Sequence, residues 1–206
     1  MSQNTEGSRT VLLDMDGVLA DFERPNNEIL RVHFPCLPVV ERRESIYFAD
    51  TYREQPDVVT VIERKVRLPG FFASFPLIDD ALTGMERIRT AGFIPRICSS
   101  PLENHPTVIA EKTAWLKQHF VPIFGPWVIE TAIFDRNKSS YDAFALIDDH
   151  PKVRGADQAK WRQMVFDQPY NRETSTGFRL LSWTDPSLEE QLIELHRLYL
   201  EASQTG

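Results

Sequence analysis

Two carboxylates one residue apart, Asp14 and Asp16, end the short apolar run Val11-Leu12-Leu13 and are followed by Gly17. Such a run reads as a fully buried strand, and the glycine lets the chain turn after it. In an open α/β sheet the ligand crevice lies beyond the carboxyl ends of the strands, so both carboxylates stand at its mouth. There one can serve as nucleophile and metal ligand, and the other as acid or base. Asp-x-Asp-Gly is also an ordinary turn sequence, because aspartate and glycine both favour turns. Its company sets it apart. Ser99-Ser100 follows Phe93-Ile94-Pro95-Arg96-Ile97-Cys98, Asp148-Asp149 follows Phe144-Ala145-Leu146-Ile147, and Lys138 lies ten residues before Asp148. Three apolar runs thus end in the groups phosphoryl transfer needs: carboxylates for a divalent cation, a hydroxyl and an ammonium for phosphate oxygens.

The alternation of elements that must position these groups is interrupted once. From Asp21 to about Phe75 the chain carries Pro25, Pro35, Pro38 and Pro56 among aromatic and charged residues, which predicts helical pieces separated by prolines. Beyond Phe75 the pattern is regular. Ala81, Leu82, Met85 and Ile88 form a helical stripe that Gly92 ends, and the strand Phe93 to Cys98 follows. A helix around Pro106 to Phe120 is expected to put Ile109, Leu116 and Phe120 on one side. Strands are expected near Trp127 to Ile129, at Phe144 to Ile147 and at Met164-Val165-Phe166. Asp185 is expected to cap a last helix with Pro186 in its first turn, and its face of Leu188, Leu192, Leu195 and Tyr199 suits internal packing or a homodimer.

With 206 residues the chain fits one domain carrying a substantial insertion. A formal net charge of −7 gives no basic footprint for a polynucleotide, whereas a small phosphate ester remains compatible through local cations. Cys36 and Cys98 have neither CxxC spacing nor a Cys/His cluster around them, which fits a reducing cytoplasm and no structural zinc. Residues 1–8 read as a disordered leader, Met1 to Thr10 lacks the apolar core of a signal peptide, and no segment is apolar enough to span a bilayer.

The chain resembles the haloacid-dehalogenase (HAD) superfamily of phosphatases, and within it the 5'(3')-deoxyribonucleotidase family. The likeness rests on Asp14-Met15-Asp16-Gly17-Val18-Leu19-Ala20-Asp21-Phe22, Pro69-Gly70-Phe71-Phe72, Ile97-Cys98-Ser99-Ser100-Pro101, Glu111-Lys112 with Trp115, Arg136-Asn137-Lys138 and Leu146-Ile147-Asp148-Asp149. It continues through Val153-Arg154-Gly155 to Leu181-Ser182-Trp183. The resemblance implies an α/β fold: a HAD-like Rossmannoid parallel sheet flanked by helices, with a small helical cap inserted after the first strand. Residues 1–20 and 76–206 would form the catalytic core and 21–75 the cap.

The resemblance also implies roles. Asp14 would be the nucleophile and Asp16 the acid/base, with Mg²⁺ held by the Asp14 side chain, the Asp16 carbonyl and Asp149. Asp148 would orient Lys138 or a bound water. Ser99 would hydrogen-bond the phosphoryl group, Ser100 would add a contact, and Lys138 would offset charge in the transition state. Phe22 would point into the crevice between cap and core, and Ile46, Tyr47 and Phe48 would fall in the stretch lining the base pocket, where they read equally well as cap core. The sequence departs from the family at Val66, where an aromatic is expected, and at His150, where an arginine or lysine commonly follows the aspartate pair. The function implied is Mg²⁺-dependent hydrolysis of nucleoside monophosphates, with deoxyribonucleotides foremost. A HAD phosphatase for another small phosphate such as a sugar phosphate, or a non-catalytic HAD-like binding protein, are the alternatives.

Overall fold

The computed structural model describes residues 9–39 and 43–204; the leader expected over residues 1–8 lies outside the described residues. Six parallel strands form one sheet: β1 (Thr10–Leu13), β2 (Ile94–Ser99), β3 (Ile133–Phe134), β4 (Ala145–Asp148), β5 (Arg162–Phe166) and β6 (Arg179–Leu180), in the order β3-β2-β1-β4-β5-β6. The helices are α1 (Glu23–His33), α2 (Pro56–Lys65), α3 (Ala81–Thr90), α4 (Val108–His119), the single turns α5 (Val121–Phe124) and α6 (Trp127–Glu130), and α7 (Leu188–Gln204).

A parallel strand in mid-sheet is covered on both faces, so it reads as a continuous apolar run rather than an alternation. β1 obeys this. Val11 and Leu13 join the main core with Met85 and Ile88 of α3, Trp115 and Leu116 of α4, and Leu188, Leu192 and Leu195 of α7. Leu12 points the other way, onto a smaller core with Cys98, Leu146, Val153 and Trp161. The apolar face of α7 is therefore occupied within the chain. β1 pairs with both β2 and β4, Leu13 lying opposite Ile97 on one side and Ile147 on the other. The chain order reverses around β1, which makes its carboxyl end the switch point where such sheets bind ligands.

Between β1 and α3 the chain makes its one long excursion. Pro25 falls in the first turn of α1 and Pro56 opens α2, positions where a missing N–H costs nothing. Leu30, Phe48, Tyr52, Val58 and Ile62 form a small core of their own, and Phe22, Ile29 and Val66 touch both that core and the main one. Phe71, Phe72 and Phe75, near the return, pack into the main core. Departure and return lie side by side: Asp21 N donates to Pro76 O at 2.8 Å and Ile78 N to Leu19 O at 2.9 Å.

Several expectations are corrected. Trp127 to Ile129 is the helical turn α6, not a strand: Gly125-Pro126 turns the chain, Ile129 N and Glu130 N both bond back to Pro126 O, and β3 begins only at Ile133. In α4 the buried face is Val108, Glu111, Lys112, Trp115 and Leu116, while Ile109 is 47% exposed. Two charged side chains displace the apolar stripe because each finds partners inside. Glu111 accepts from Phe72 N and from Thr107 Oγ1, and the partners of Lys112 belong to the site. Asp185 shapes the turn ahead of α7, accepting from Ser187 N, Ser187 Oγ and Leu181 N, and Pro186 precedes the helix. β6 was not foreseen, since two residues carry no periodicity.

Candidate active site

A cavity of about 490 Å³ opens over the carboxyl ends of β1 and β4. Asp14 is placed by the ladder itself, its N–H donating to Ile147 O at 3.0 Å. After Asp16 the backbone curls tightly, with Val18, Leu19 and Ala20 N–H groups all directed at Met15 O. Gly17 sits in this curl at φ +80°, and a Cβ there would collide with the Asp149 carboxylate, so only glycine fits. Trp183 supports the curl from below, its Nε1 donating to Val18 O at 2.8 Å.

Asp14, Asp148 and Asp149 each bring a carboxylate oxygen into a group spanning no more than 4.8 Å. Lys138 Nζ lies 2.8 Å from Asp14 Oδ1 and donates to Asp148 Oδ2 at 2.6 Å. The other Asp148 oxygen accepts from His150 N at 2.8 Å. Burial works against the charge on Lys138, but Asp14 and Asp148 together lift its pKa above the usual lysine value. Asp149 is 4% exposed; burial first, then the neighbouring Asp148 and Asp14, push its carboxyl well above the ordinary range. Three clustered carboxylates with one shared ammonium leave negative charge uncompensated. Asp14 Oδ1 is buried without a well-formed hydrogen bond. An all-oxygen set of this kind fits a hard divalent cation such as Mg²⁺.

Asp16 is served by a second lysine. Lys112, 1% exposed, spends its three N–H groups on Asp16 Oδ2 at 2.8 Å, Ser99 Oγ at 2.7 Å and Ser100 O at 3.3 Å. Asp16 Oδ1 has no protein partner. Burial raises the Asp16 pKa, and Lys112 opposes the rise.

Of the residues singled out in the sequence, Asp14, Asp16, Asp148, Asp149, Lys138, Ser100, Phe22, Ile46, Tyr47 and His150 all line the cavity. Ser99 does not; it is 1% exposed, with its hydroxyl on Lys112. Phe48 turns into the small core of the insertion. Phe22 stands edge-on to Phe71 and Phe75, with ring centroids 6.3 and 5.7 Å away, and so forms a braced wall. Residues not assigned a role from sequence also gather here: Lys112 against Asp16, Tyr170 against Asp149, Arg43 from the insertion, and Arg136, Lys152 and Arg154 on the rim. Lys112, Arg136 and Arg154 had left a trace in the family motifs, whereas Tyr170, Arg43 and Lys152 had left none.

A prediction follows from the carboxyls. Asp16, Asp148 and Asp149 all have raised pKa values in the metal-free fold. The folded state then holds protons that the unfolded chain has released, so stability is full below the ordinary carboxylate pKa and declines as pH rises through the raised values. A divalent cation held only by the folded cluster would offset the decline. Thermal unfolding in chelator should give a Tm that falls as pH rises above the ordinary carboxylate range, and added Mg²⁺ should raise Tm most at the upper end. A Mg²⁺ effect that is equal or absent at both ends would refute the assignment.

The profile of the family described as "5' nucleotidase, deoxy (Pyrimidine), cytosolic type C protein" matches residues 8–198. The human cytosolic-type 5'(3')-deoxyribonucleotidase is 36% identical over 186 residues, covering 85% of this chain and 89% of that protein. The mouse mitochondrial 5'(3')-deoxyribonucleotidase is 34% identical over 188 residues, 85% of this chain and 81% of its own. A HAD family hydrolase from Deinococcus radiodurans, crystallised with phosphate and sodium, shares the fold at a TM-score of 0.56 and 16% identity, covering 91% of this chain and 96% of that one. Among the described residues no helix is long and apolar enough to cross a membrane. The paired carboxylates at the β1 switch point, the HAD-type sheet and this breadth of sequence identity agree: the chain belongs to the cytosolic type C 5'-nucleotidase family, whose members are phosphoric monoester hydrolases of HAD fold.

Proposed function

We propose that this enzyme hydrolyses nucleoside monophosphates, deoxyribonucleotides foremost, to nucleoside and phosphate through an aspartyl-phosphate on Asp14, with Mg²⁺, in the cytoplasm. One observation carries the reading. Asp14 stands where the carboxylate cluster and Lys138 meet, on the floor of a cavity walled on its other side by Phe22, Ile46 and Tyr47. The names of the two relatives point to the same substrates. The reducing cytoplasm, where thiols stay unpaired, suits the two free cysteines, Cys36 and Cys98, and burial pushes the Cys98 thiol up to about 12, hence neutral.

The steps divide among the chain's own groups. An Asp14 oxygen attacks phosphorus, and the bond from phosphorus to the ester oxygen breaks. Asp16 gives its proton to that leaving oxygen, then takes one from the water that attacks the aspartyl-phosphate, which frees phosphate and restores Asp14. Lys112 holds one Asp16 oxygen and leaves the other for proton exchange. Lys138 and Ser100 would take phosphoryl oxygens from the cavity wall, and Ser99, which does not line the cavity, accepts from Lys112 and helps hold that ammonium beside Asp16. Mg²⁺, held by Asp14, Asp149 and the Asp16 carbonyl, would supply charge neutralisation at the phosphoryl group.

Residues 21–75 would act as the cap that reads the nucleoside. Phosphate release across deoxyribonucleotides, ribonucleotides, sugar phosphates and p-nitrophenyl phosphate tests this, with deoxyribonucleotides expected to lead. Sugar phosphates turned over as well as nucleotides would overturn it. Base stacking on an aromatic is worth about 1–3 kcal/mol. Phe22→Ala or Tyr47→Ala should therefore lower kcat/KM for nucleotides on the order of 10-fold or more and hardly touch p-nitrophenyl phosphate, which cannot reach the pocket. Equal losses on both substrates would reduce these side chains to packing.

A further inference from the structure

The Asp149 carboxylate is gripped by a side chain to which the chemistry above gives no part. Tyr170 lies in the short 3₁₀ turn Pro169–Asn171 beyond β5, and its hydroxyl donates to Asp149 Oδ2. That turn is pinned to both halves of the site: Gln168 Nε2 donates to Gly17 O and Asn171 Nδ2 to Asp149 O, each at 2.7 Å. The face of the Tyr170 ring is covered by the guanidinium of Arg43, 4.4 Å from its centroid. Arg43 comes from the insertion and is 4% exposed. It is fixed there by Glu23, at 2.7 Å from Nε, and by the carbonyls of Ser45 and Ile46. A buried guanidinium is costly unless it is paired and hydrogen-bonded, so one so fully satisfied and set over a tyrosine ring is a built contact.

We propose that Tyr170 is the positioning residue of Asp149 and that Arg43 holds Tyr170 in place, so that the seating of the insertion on the core sets the orientation of the cation-binding carboxylate. The inference rests on the reading above that Asp149 holds a cation. A carboxylate ligand left to rotate presents either oxygen in many directions, and an outer hydrogen bond to one oxygen fixes where the other points. The cation–π contact fixes the plane of the Tyr170 ring, and with it the direction of the hydroxyl. Insertion and core are thereby joined through a chain of two side chains that ends on Asp149.

The test is Mn²⁺ binding to metal-stripped protein without substrate, read from the EPR signal of free Mn²⁺. Asp149→Asn should weaken binding, and Tyr170→Phe, which keeps the ring and loses the hydroxyl, should weaken it by about 10–100-fold. Arg43→Gln should weaken it several-fold. The sign is diagnostic, because removing a nearby positive charge would on Coulomb grounds alone tighten a cation. In the Tyr170→Phe background Arg43→Gln should cost nothing further, since its route to Asp149 is already cut. If Arg43→Gln does not fold by circular dichroism, Arg43→Lys keeps the charge beside Glu23 but cannot lie flat on the ring, and carries the same expectation. Unchanged affinity in Tyr170→Phe, unchanged or tighter binding in the Arg43 variant, or equal Arg43 losses in both backgrounds would overturn the inference while leaving the cation site standing. Wild-type binding that is absent, or unmoved by Asp149→Asn, would overturn the cation reading and this inference together.

Discussion

Asp14→Asn is expected to abolish turnover, with a loss on the order of 10⁴–10⁶ in kcat, the scale on which removal of a covalent nucleophile registers. The substitution takes away the proposed attacking oxygen and one of the three clustered carboxylates while keeping the side chain's shape. Because Lys138 also pairs with Asp148, its charge stays compensated and the fold should hold. Rapid acid quench with a ³²P-labelled nucleotide should trap labelled protein with the wild type and none with the variant. Label retained by Asp14→Asn would move the nucleophile elsewhere.

Asp16→Asn is expected to cost less, on the order of 10²–10⁴, the usual worth of general acid/base catalysis. The amide oxygen can still accept from Lys112, and Ser99 and Ser100 keep the ammonium's other two bonds, so the change is confined to the proton. Mg²⁺ affinity should stay near that of the wild type if, as proposed, the Asp16 ligand is its main-chain carbonyl. The loss in aspartyl-phosphate formation should be large for an alkyl ester and small for an aryl ester, whose oxygen departs with little need of a proton. The elevated Asp16 pKa fits the acid role, and the forward step should fade as pH rises through it. Single-turnover rates on the two esters decide the matter, and equal losses would take the acid/base role from Asp16.

The parts of this architecture most readable in the sequence are those under the strictest local constraint. β1 and β4 are buried on both faces, so Leu12 and Leu13, or Leu146 and Ile147, must all be apolar, and the polar residues that follow mark the strand ends. Asp14, Asp16 and Asp148-Asp149 were legible for that reason, and Lys138 by its place ten residues before Asp148. What escaped was fixed by distant partners. Counting apolar residues put Ile109 on the inner face of α4, yet Glu111 and Lys112 take it because Phe72, Asp16 and Ser99 wait there from elsewhere in the chain. The Trp127 to Ile129 run is too short for its period to separate strand from helix, and Gly125-Pro126 decided in favour of a turn. Tyr170 and Arg43 carry no local signature at all; their meaning lies in a ring, a guanidinium and a carboxylate brought together only by the fold.

The insertion departs at Asp21 and returns at Ile78 through one doorway, its two jambs hydrogen-bonded through Pro76 and Leu19. With the jambs fixed by the core, closing a longer or shorter excursion costs only a slowly growing entropy. Evolution can therefore redecorate what lies beyond the doorway without shifting β1 against β2 or β4, and the aspartates stay in register throughout. Under the proposed roles, a lineage can revise the pocket walls of the insertion while copying the bond-breaking groups unchanged, provided it keeps Arg43, which reaches Asp149 through Tyr170.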